Sequence, residues 1–129
     1  MVAVDTNVLV RFLVRDDAKQ AGRAASLIRA NEIWISKTVL LETEWVLRSL
    51  YGFSPGSLAG AVQARAGPPT IFLEDEPAVA RALDWFNEGL DFADALHLPS
   101  ARNARQFATF DRELAKQAKR TTALETISL

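Results

Sequence analysis

The 129-residue sequence predicts an α/β fold from two kinds of segment that alternate along it. The first kind is an apolar run of three to five residues, typical of a buried strand, and the second is a longer segment in which apolar residues recur at helical spacing. Strands that alternate with helices favour a parallel sheet, because two parallel strands need a long crossover connection. We therefore predict a three-layer α/β/α sandwich with a short, mostly parallel central sheet, in a single domain over residues 1–129.

Each element has its own signal in the sequence. The apolar runs MVAV, IWI, IFL, FATF and TISL predict strands, and Ser36 and Asp111 are typical residues to cap the helix that follows. The strands are expected over residues 1–5, 33–35, 71–73, 107–110 and 126–129. The helices are expected over residues 6–15, 17–30, 37–51, 54–66, 76–88 and 112–119, with a further one that opens at residues 91–98.

The composition excludes several classes of protein. Apolar residues make up 49% of the chain and charged residues 24%, which is typical of a globular domain. The sequence has no cysteine, so disulfides and thiolate zinc sites are excluded and a reducing cytoplasm fits. No apolar run approaches the roughly 20 residues that a membrane-spanning helix needs, and no secretory signal is expected.

The charges are unevenly distributed along the second half of the chain. Residues 74–94 contain seven acidic residues and one basic residue, whereas residues 100–120 contain six basic and two acidic residues. This distribution fits a metal site beside a phosphate-binding rim. It also fits two solvated helix faces, and charge alone favours that second interpretation.

Four carboxylates lie near the predicted ends of strands. Asp5 lies at the C-terminus of the first predicted strand, and Asp111 directly follows the FATF strand. Asp94 lies in the first turns of the helix before that strand, and Glu42 lies in the helix after IWI. Because ligands of parallel α/β sheets bind outside the carboxyl ends of the strands, these four side chains are candidates to converge there.

Each of these carboxylates also has a structural interpretation. Asp5 and Asp111 suit the N-cap position, since a helix follows each of them. Asp91 lies one turn before Asp94 and is the better cap of that pair. Glu44 competes with Glu42, and the spacing alone does not choose between the two.

Converging carboxylates would require a cation. Two like charges 4 Å apart repel by about 4 kcal/mol at an effective dielectric of about 20, so a cluster raises its pKa values or binds a metal. Oxygen ligands without His or Cys favour Mg²⁺ or Mn²⁺, and such a site suits phosphoryl transfer. Thr6, Asn7 and Thr109 are candidates to orient ligands or water around it. His97, the single histidine, is expected in a packing or surface role.

Three segments of the sequence together resemble a known family. They are VDTNVLVRFLVRDD, ISKTVLLETEWVLRSLYGF, and LDFADALHL followed by TFDRELAKQA. The ordered set resembles PIN-domain ribonucleases, and among them the VapC toxins of prokaryotic toxin–antitoxin (VapBC) systems. The resemblance extends over nearly the whole chain, and it implies a PIN-like fold.

The resemblance implies a metal site and a partner. It matches Asp5, Glu42, Asp94 and Asp111 to the acids that hold Mg²⁺ or Mn²⁺, which selects Glu42 over Glu44; Asp111 matches the most variable of the four. It implies an endoribonuclease toxin that hydrolyses RNA, forms a homodimer in the cytoplasm and is neutralised by a cognate VapB-type antitoxin. Beside this site, we expect a basic set to contact the RNA backbone. That set is Arg102, Arg105, Arg112 and Lys116.

Two other classes of function are compatible with the residues. In an Asp-based phosphatase or phosphoacceptor domain, Asp5 would be the nucleophile; haloacid-dehalogenase-like phosphatases, however, have a second Asp where this chain has Asn7. In a non-catalytic interaction module, the acids would only cap helices. One departure from the family pattern is Pro99, which is expected to kink or end the helix that carries Asp94.

Overall fold

The computed structural model describes residues 1–56, 60 and 70–129. The chain divides into two compact units, Met1–Glu76 and Pro77–Leu129. The helix predicted over residues 54–66 lies largely outside the described residues. In the described part of the chain, no helix is long and apolar enough to cross a bilayer.

The first unit is built on a parallel sheet of three strands in the order β1–β2–β3. Its described elements are β1 (Val2–Ala3), α1 (Thr6–Val14), α2 (Ala18–Ala30), β2 (Ile33–Ile35), α3 (Lys37–Tyr51) and β3 (Ile71–Leu73). Ile33 and Ile35 of β2 are buried, whereas Trp34 between them is 37% exposed. This alternation follows from the two-residue period of a strand, which turns neighbouring side chains to opposite faces.

The helices of the first unit begin and end at residues suited to those positions. Asp5, Asp17 and Ser36 cap α1, α2 and α3, and each accepts a hydrogen bond from a backbone N–H three residues later. Gly52 ends α3 in the left-handed conformation, with φ of 67°. Helix α1 packs against α2 and α3. These caps place Asp5 and Ser36 where two parallel strands end.

The second unit pairs two parallel strands with three helices. Its elements are α4 (Glu76–Asn87), α5 (Phe92–Ser100), β4 (Gln106–Thr109), α6 (Arg112–Thr121) and β5 (Glu125–Ser128). Helix α6 packs on both strands, with Leu114 and Ala118 buried. The rings of Phe86 and Phe92 meet edge to face at 5.1 Å, which joins the end of α4 to the start of α5.

The predicted α/β fold with short parallel strands is confirmed. The bounds of β2, α3 and β3 are as predicted, but β4 begins and ends one residue earlier than the FATF run. Phe110 therefore lies outside the strand and is 82% exposed. Trp45 is apolar but 54% exposed, because the buried stripe of α3 runs through Leu40, Thr43 and Leu47.

Pro99 lies inside α5, one residue before the helix ends at Ser100. The N–H of Ala101 donates to the carbonyls of His97 and Leu98, at 3.1 and 3.2 Å, and so closes the last turn. A proline this close to the end of a helix removes a single hydrogen bond, that of its own nitrogen. Asp94 lies five residues earlier, in the first turn.

Candidate active site

A cavity of about 290 Å³ lies in the first unit, where β1 and β2 end and α1 and α3 begin. It is lined by Asp5, Thr6, Asn7, Thr38, Val39 and Glu42. Five of these six side chains carry oxygen, as carboxylate, hydroxyl or amide groups. Two of the four acids matched by the resemblance, Asp5 and Glu42, thus line one cavity at the carboxyl ends of parallel strands.

Asp5 caps α1 and also faces this cavity. Its Oδ1 accepts a hydrogen bond of 3.1 Å from the N–H of Val8, and its backbone is extended. The capping interpretation is therefore correct, but it occupies one lone pair of a group that can accept about four hydrogen bonds. The capping bond orients the carboxylate, and Oδ2 accepts no hydrogen bond from the described residues.

The two neighbouring glutamates of α3 have different surroundings. Glu44 is 4% exposed, and its Oε1 accepts a hydrogen bond of 2.7 Å from Nε of Arg48. Glu42 is exposed and lines the cavity with Asp5. The geometry therefore gives Glu44 a structural partner and gives Glu42 access to a ligand.

Two further acids near this edge of the sheet, Glu74 and Asp75, have structural partners. The N–H of Lys37 donates to Oε1 of Glu74 at 2.8 Å, and the Lys37 ammonium pairs with Asp75 at 2.7 Å. Both contacts join the end of β3 to the first residue of α3, where negative charge also interacts favourably with the helix dipole. We therefore leave Glu74 and Asp75 out of the candidate site.

In the second unit, Asp94 has an unusual carboxyl group. It is half-buried in the first turn of α5, and its N–H donates to Oδ2 of Asp91 at 3.3 Å. Burial raises the pKa of Asp94; the negative charges of Asp91 and Asp111 raise it further, while His97 partly opposes them. Asp94 and Asp111 are thus near enough to interact electrostatically, and a cation would relieve their repulsion.

Asp111 is exposed and caps α6. Its Oδ1 accepts hydrogen bonds from the N–H groups of Glu113 and Leu114, at 3.0 and 3.1 Å. Its own N–H donates to Oγ1 of Thr109 at 3.0 Å. Thr109 therefore orients the backbone of Asp111 directly, and the N-cap interpretation of Asp111 is correct as well.

The oxygen atoms of the candidate residues suit a hard cation, but among the described residues neither unit by itself brings enough acidic side chains together to hold one. Carboxylate, hydroxyl and amide oxygens suit Mg²⁺ or Mn²⁺. Within the described residues of 1–76, and separately within residues 77–129, no three acidic or histidine side chains lie close enough together to hold a metal ion. Each unit offers a pair of the expected acids: Asp5 and Glu42 in the first, Asp94 and Asp111 in the second.

The basic set predicted to contact RNA is divided in the second unit. Arg102 and Arg105 line one cavity, whereas Arg112 and Lys116 lie on α6 and do not line it. Sequence reasoning did not single out Thr38, which lines the cavity of Asp5, or Arg81, which lines that of Arg105. Thr38 could have been predicted, since it lies two residues after the cap Ser36 and so near the end of a strand. Nothing in the sequence indicated that Arg81 would line a cavity.

A comparison with protein families supplies an independent finding. The family model described as the PIN domain matches residues 2–120, most of the chain. The match extends over both compact units. No curated protein matched the sequence.

Proposed function

The chain belongs to the PIN domain family, whose members are generally metal-dependent nucleases, and from this we propose that it is an endoribonuclease toxin of the VapC type. In this proposal it hydrolyses RNA phosphodiester bonds with Mg²⁺ or Mn²⁺, and a cognate VapB-type antitoxin neutralises it. The three segments of resemblance support the toxin assignment, and the match over residues 2–120 supports one PIN domain over 1–129.

One observation supports the site above all others. Asp5 and Glu42, which are 37 residues apart, line a single cavity with Thr6 and Asn7. We propose that Asp5, Glu42, Asp94 and Asp111 are the metal-binding residues, as the family resemblance implies. A divalent cation held there would supply Lewis-acid activation of the phosphodiester and of the water that attacks it.

The side chains themselves have positioning roles in this proposal. The cap bond to Val8 holds Asp5 in one orientation, and Thr109 holds the backbone of Asp111. Thr6 is buried and Asn7 is exposed, and both line the cavity. Both can orient substrate oxygens or a water by hydrogen bonds, which lowers the entropic part of the barrier.

The partners are proposed from the same resemblance. We propose a homodimer, a heteromeric complex with the antitoxin, and a cytoplasmic location. The basic residues Arg102, Arg105, Arg112 and Lys116 would contact the RNA backbone, and we expect that contribution to weaken as salt rises. Reversing the charge of Arg112 and Lys116 tests whether these two residues contact RNA. If the RNA affinity and its salt dependence were unchanged, neither residue would be an RNA contact.

The proposal is tested by cleavage of total cellular RNA. The purified chain, free of antitoxin, is incubated with Mg²⁺ or Mn²⁺, with a chelator, and beside the Asp5→Asn variant. We expect discrete, metal-dependent products that the variant does not form. A phosphate monoester serves as a second substrate, since its hydrolysis without RNA cleavage would favour the Asp-based phosphatase. No cleavage, together with no measurable metal binding, would favour a non-catalytic module in which the acids only cap helices.

A further inference from the structure

The second unit contains a cavity of about 450 Å³ whose charged lining residues are all arginines. This basic cavity is defined by Arg81, Trp85, Leu98, Arg102, Arg105 and Leu124. All residues of 77–129 are described, and none of those that line the cavity is acidic. Three guanidinium groups around an apolar floor attract an anion that also has an apolar or planar part.

The arginines are differently engaged by the protein. The guanidinium of Arg81 lies over the ring of Trp85, 5.5 Å from its centroid, and donates a long hydrogen bond of 3.5 Å to the carbonyl of Thr121. Arg102 donates to the carbonyl of Pro99 at 3.4 Å. The side chain of Arg105 makes no hydrogen bond or ion pair with the described residues. Because a guanidinium has five N–H donors, Arg81 and Arg105 retain donors for a ligand.

The basic cavity lies at the opposite end of β4 and β5 from Asp111. Arg105 directly precedes β4 and Leu124 directly precedes β5, and the two strands are parallel. Asp111 follows the other end of β4. At about 3.3 Å per residue, the four residues of β4 place about 13 Å between its two ends. Arg105 therefore lies at the other end of β4 from Asp111, and we treat the basic cavity as a second site.

We infer that the basic cavity binds phosphate groups of the RNA substrate, away from the phosphodiester that is cleaved. The inference rests on the proposed nuclease function. A guanidinium matches a phosphate with two parallel hydrogen bonds, which an ammonium does not, and the cavity contains arginines alone among the basic residues. The assignment adds Arg81 to the RNA-contacting residues and separates Arg102 and Arg105 from Arg112 and Lys116.

If the basic cavity binds phosphates away from the cleaved bond, the effect of losing one of its arginines should depend on the length of the RNA. A dinucleotide without terminal phosphates has a single phosphate, so none is left for the basic cavity when that phosphate lies at the Asp94–Asp111 end, whereas a longer single strand has further phosphates. Loss of an arginine should therefore weaken the binding of the longer RNA and leave the dinucleotide unaffected. It should also lower the salt dependence of the longer RNA, because fewer counterions are released.

The test uses Arg105→Gln and Arg105→Glu, since this side chain has no partner in the described residues whose loss would disturb the fold. Lys119→Gln and Lys119→Glu are the matched controls, because Lys119 is exposed on α6 and does not line the cavity. Affinity for a fluorescently labelled single-stranded RNA and for a dinucleotide is measured by anisotropy, with chelator, at low and moderate salt. Thermal unfolding of each variant verifies the fold.

We expect Arg105→Gln to lower the salt slope for the longer RNA by about 0.7, and Arg105→Glu to weaken its binding several-fold, with both Lys119 variants like the wild type. Arg105 variants that bind the longer RNA like the Lys119 variants would overturn the inference. A second outcome would also overturn it: a glutamate-rich peptide binds the protein more tightly than RNA does, and Arg105→Glu abolishes that binding. The ligand of the cavity would then be an acidic peptide. RNA affinity is measured in chelator, without cleavage. If the protein did not cleave RNA, the effect of the Arg105 variants on RNA binding would still be measurable, so the two proposals can fail separately.

Discussion

Arg48 donates a hydrogen bond of 2.7 Å to the buried carboxylate of Glu44, while Glu42, two residues earlier on the same helix, lines a cavity with Asp5. The two glutamates are near neighbours in sequence, but their surroundings suit different roles. A structural carboxylate is expected to influence stability, and a ligand-facing carboxylate is expected to influence activity.

Glu42→Gln and Glu44→Gln therefore form a matched pair. We expect Glu42→Gln to abolish metal-dependent RNA cleavage with little change in the free energy of unfolding. We expect Glu44→Gln to lower that free energy by about 1 kcal/mol, because it replaces an ion pair with Arg48 by a hydrogen bond to a neutral amide. Urea denaturation and an RNA cleavage assay are the measurements. If Glu44→Gln were the inactive and stable variant, the assignment of the two residues would be reversed.

Asp5 allows its two roles to be separated by substitution. Asparagine is as good an N-cap as aspartate, so Asp5→Asn should retain the bond from Val8 and the stability of α1. Asp5→Ala removes the cap and should cost about 1 kcal/mol. We expect both variants to be inactive, and only Asp5→Ala to unfold at lower urea. Activity retained in Asp5→Asn would contradict a metal-binding role.

Asp94 is expected to destabilise the protein when it is charged and no cation is bound. Its raised pKa means that the folded state binds the proton more tightly than the unfolded state. Folding stability therefore falls as the pH rises above the unfolded-state pKa of about 3.9, until the folded-state pKa is passed. In chelator at neutral pH, Asp94→Asn should raise the thermal unfolding midpoint.

The control for this prediction is Asp84→Asn, which neutralises an exposed acid on α4. A surface substitution of this kind should leave the midpoint nearly unchanged. If Asp94→Asn melted at or below the wild-type temperature, the folded protein would stabilise the ionised carboxylate of Asp94, contrary to the prediction.

Asp16 provides a pH dependence with the opposite sign. The hydroxyl of Tyr51 donates to its Oδ2 at 2.9 Å and Arg11 to its Oδ1 at 2.8 Å, and these bonds lower the pKa of Asp16. The stabilisation is present above the unfolded-state pKa of about 3.9 and is lost as the pH falls through the folded-state pKa. Asp16→Asn should therefore melt below the wild type at neutral pH.

The difference between wild type and Asp16→Asn should narrow as the solution is acidified, and thermal unfolding monitored by circular dichroism over a pH series measures it. Tyr51→Phe, which removes the largest cause of the lowered pKa, should reduce the same pH dependence. A difference that is constant with pH would mean that the ionised carboxylate is not the stabilising group.

Local sequence signals were sufficient for much of the fold. Helix α3 has the predicted bounds because Ser36 can cap its start and Gly52 can adopt the left-handed conformation at its end. Both effects act within a few residues and need no tertiary contact. The same local chemistry explains why Asp5 and Asp111 cap helices where β1 and β4 end. For the site, Asp5 and Asp111 were therefore predictable as candidates from their place after strands.

Tertiary structure decided what those candidates face. The exposure of Trp45, the burial of Glu44 and the position of Phe110 outside β4 depend on which neighbours pack against each element, and periodicity within one helix or strand does not report that. The raised pKa of Asp94 depends on its burial and on Asp111, 17 residues away in the chain. Arg81 and Arg105 likewise line one cavity only because α4 and the segment before β4 fold together. Sequence alone determined the elements and their caps, since those depend on short-range bonds; burial and charge at the site are long-range properties that only the folded chain determines.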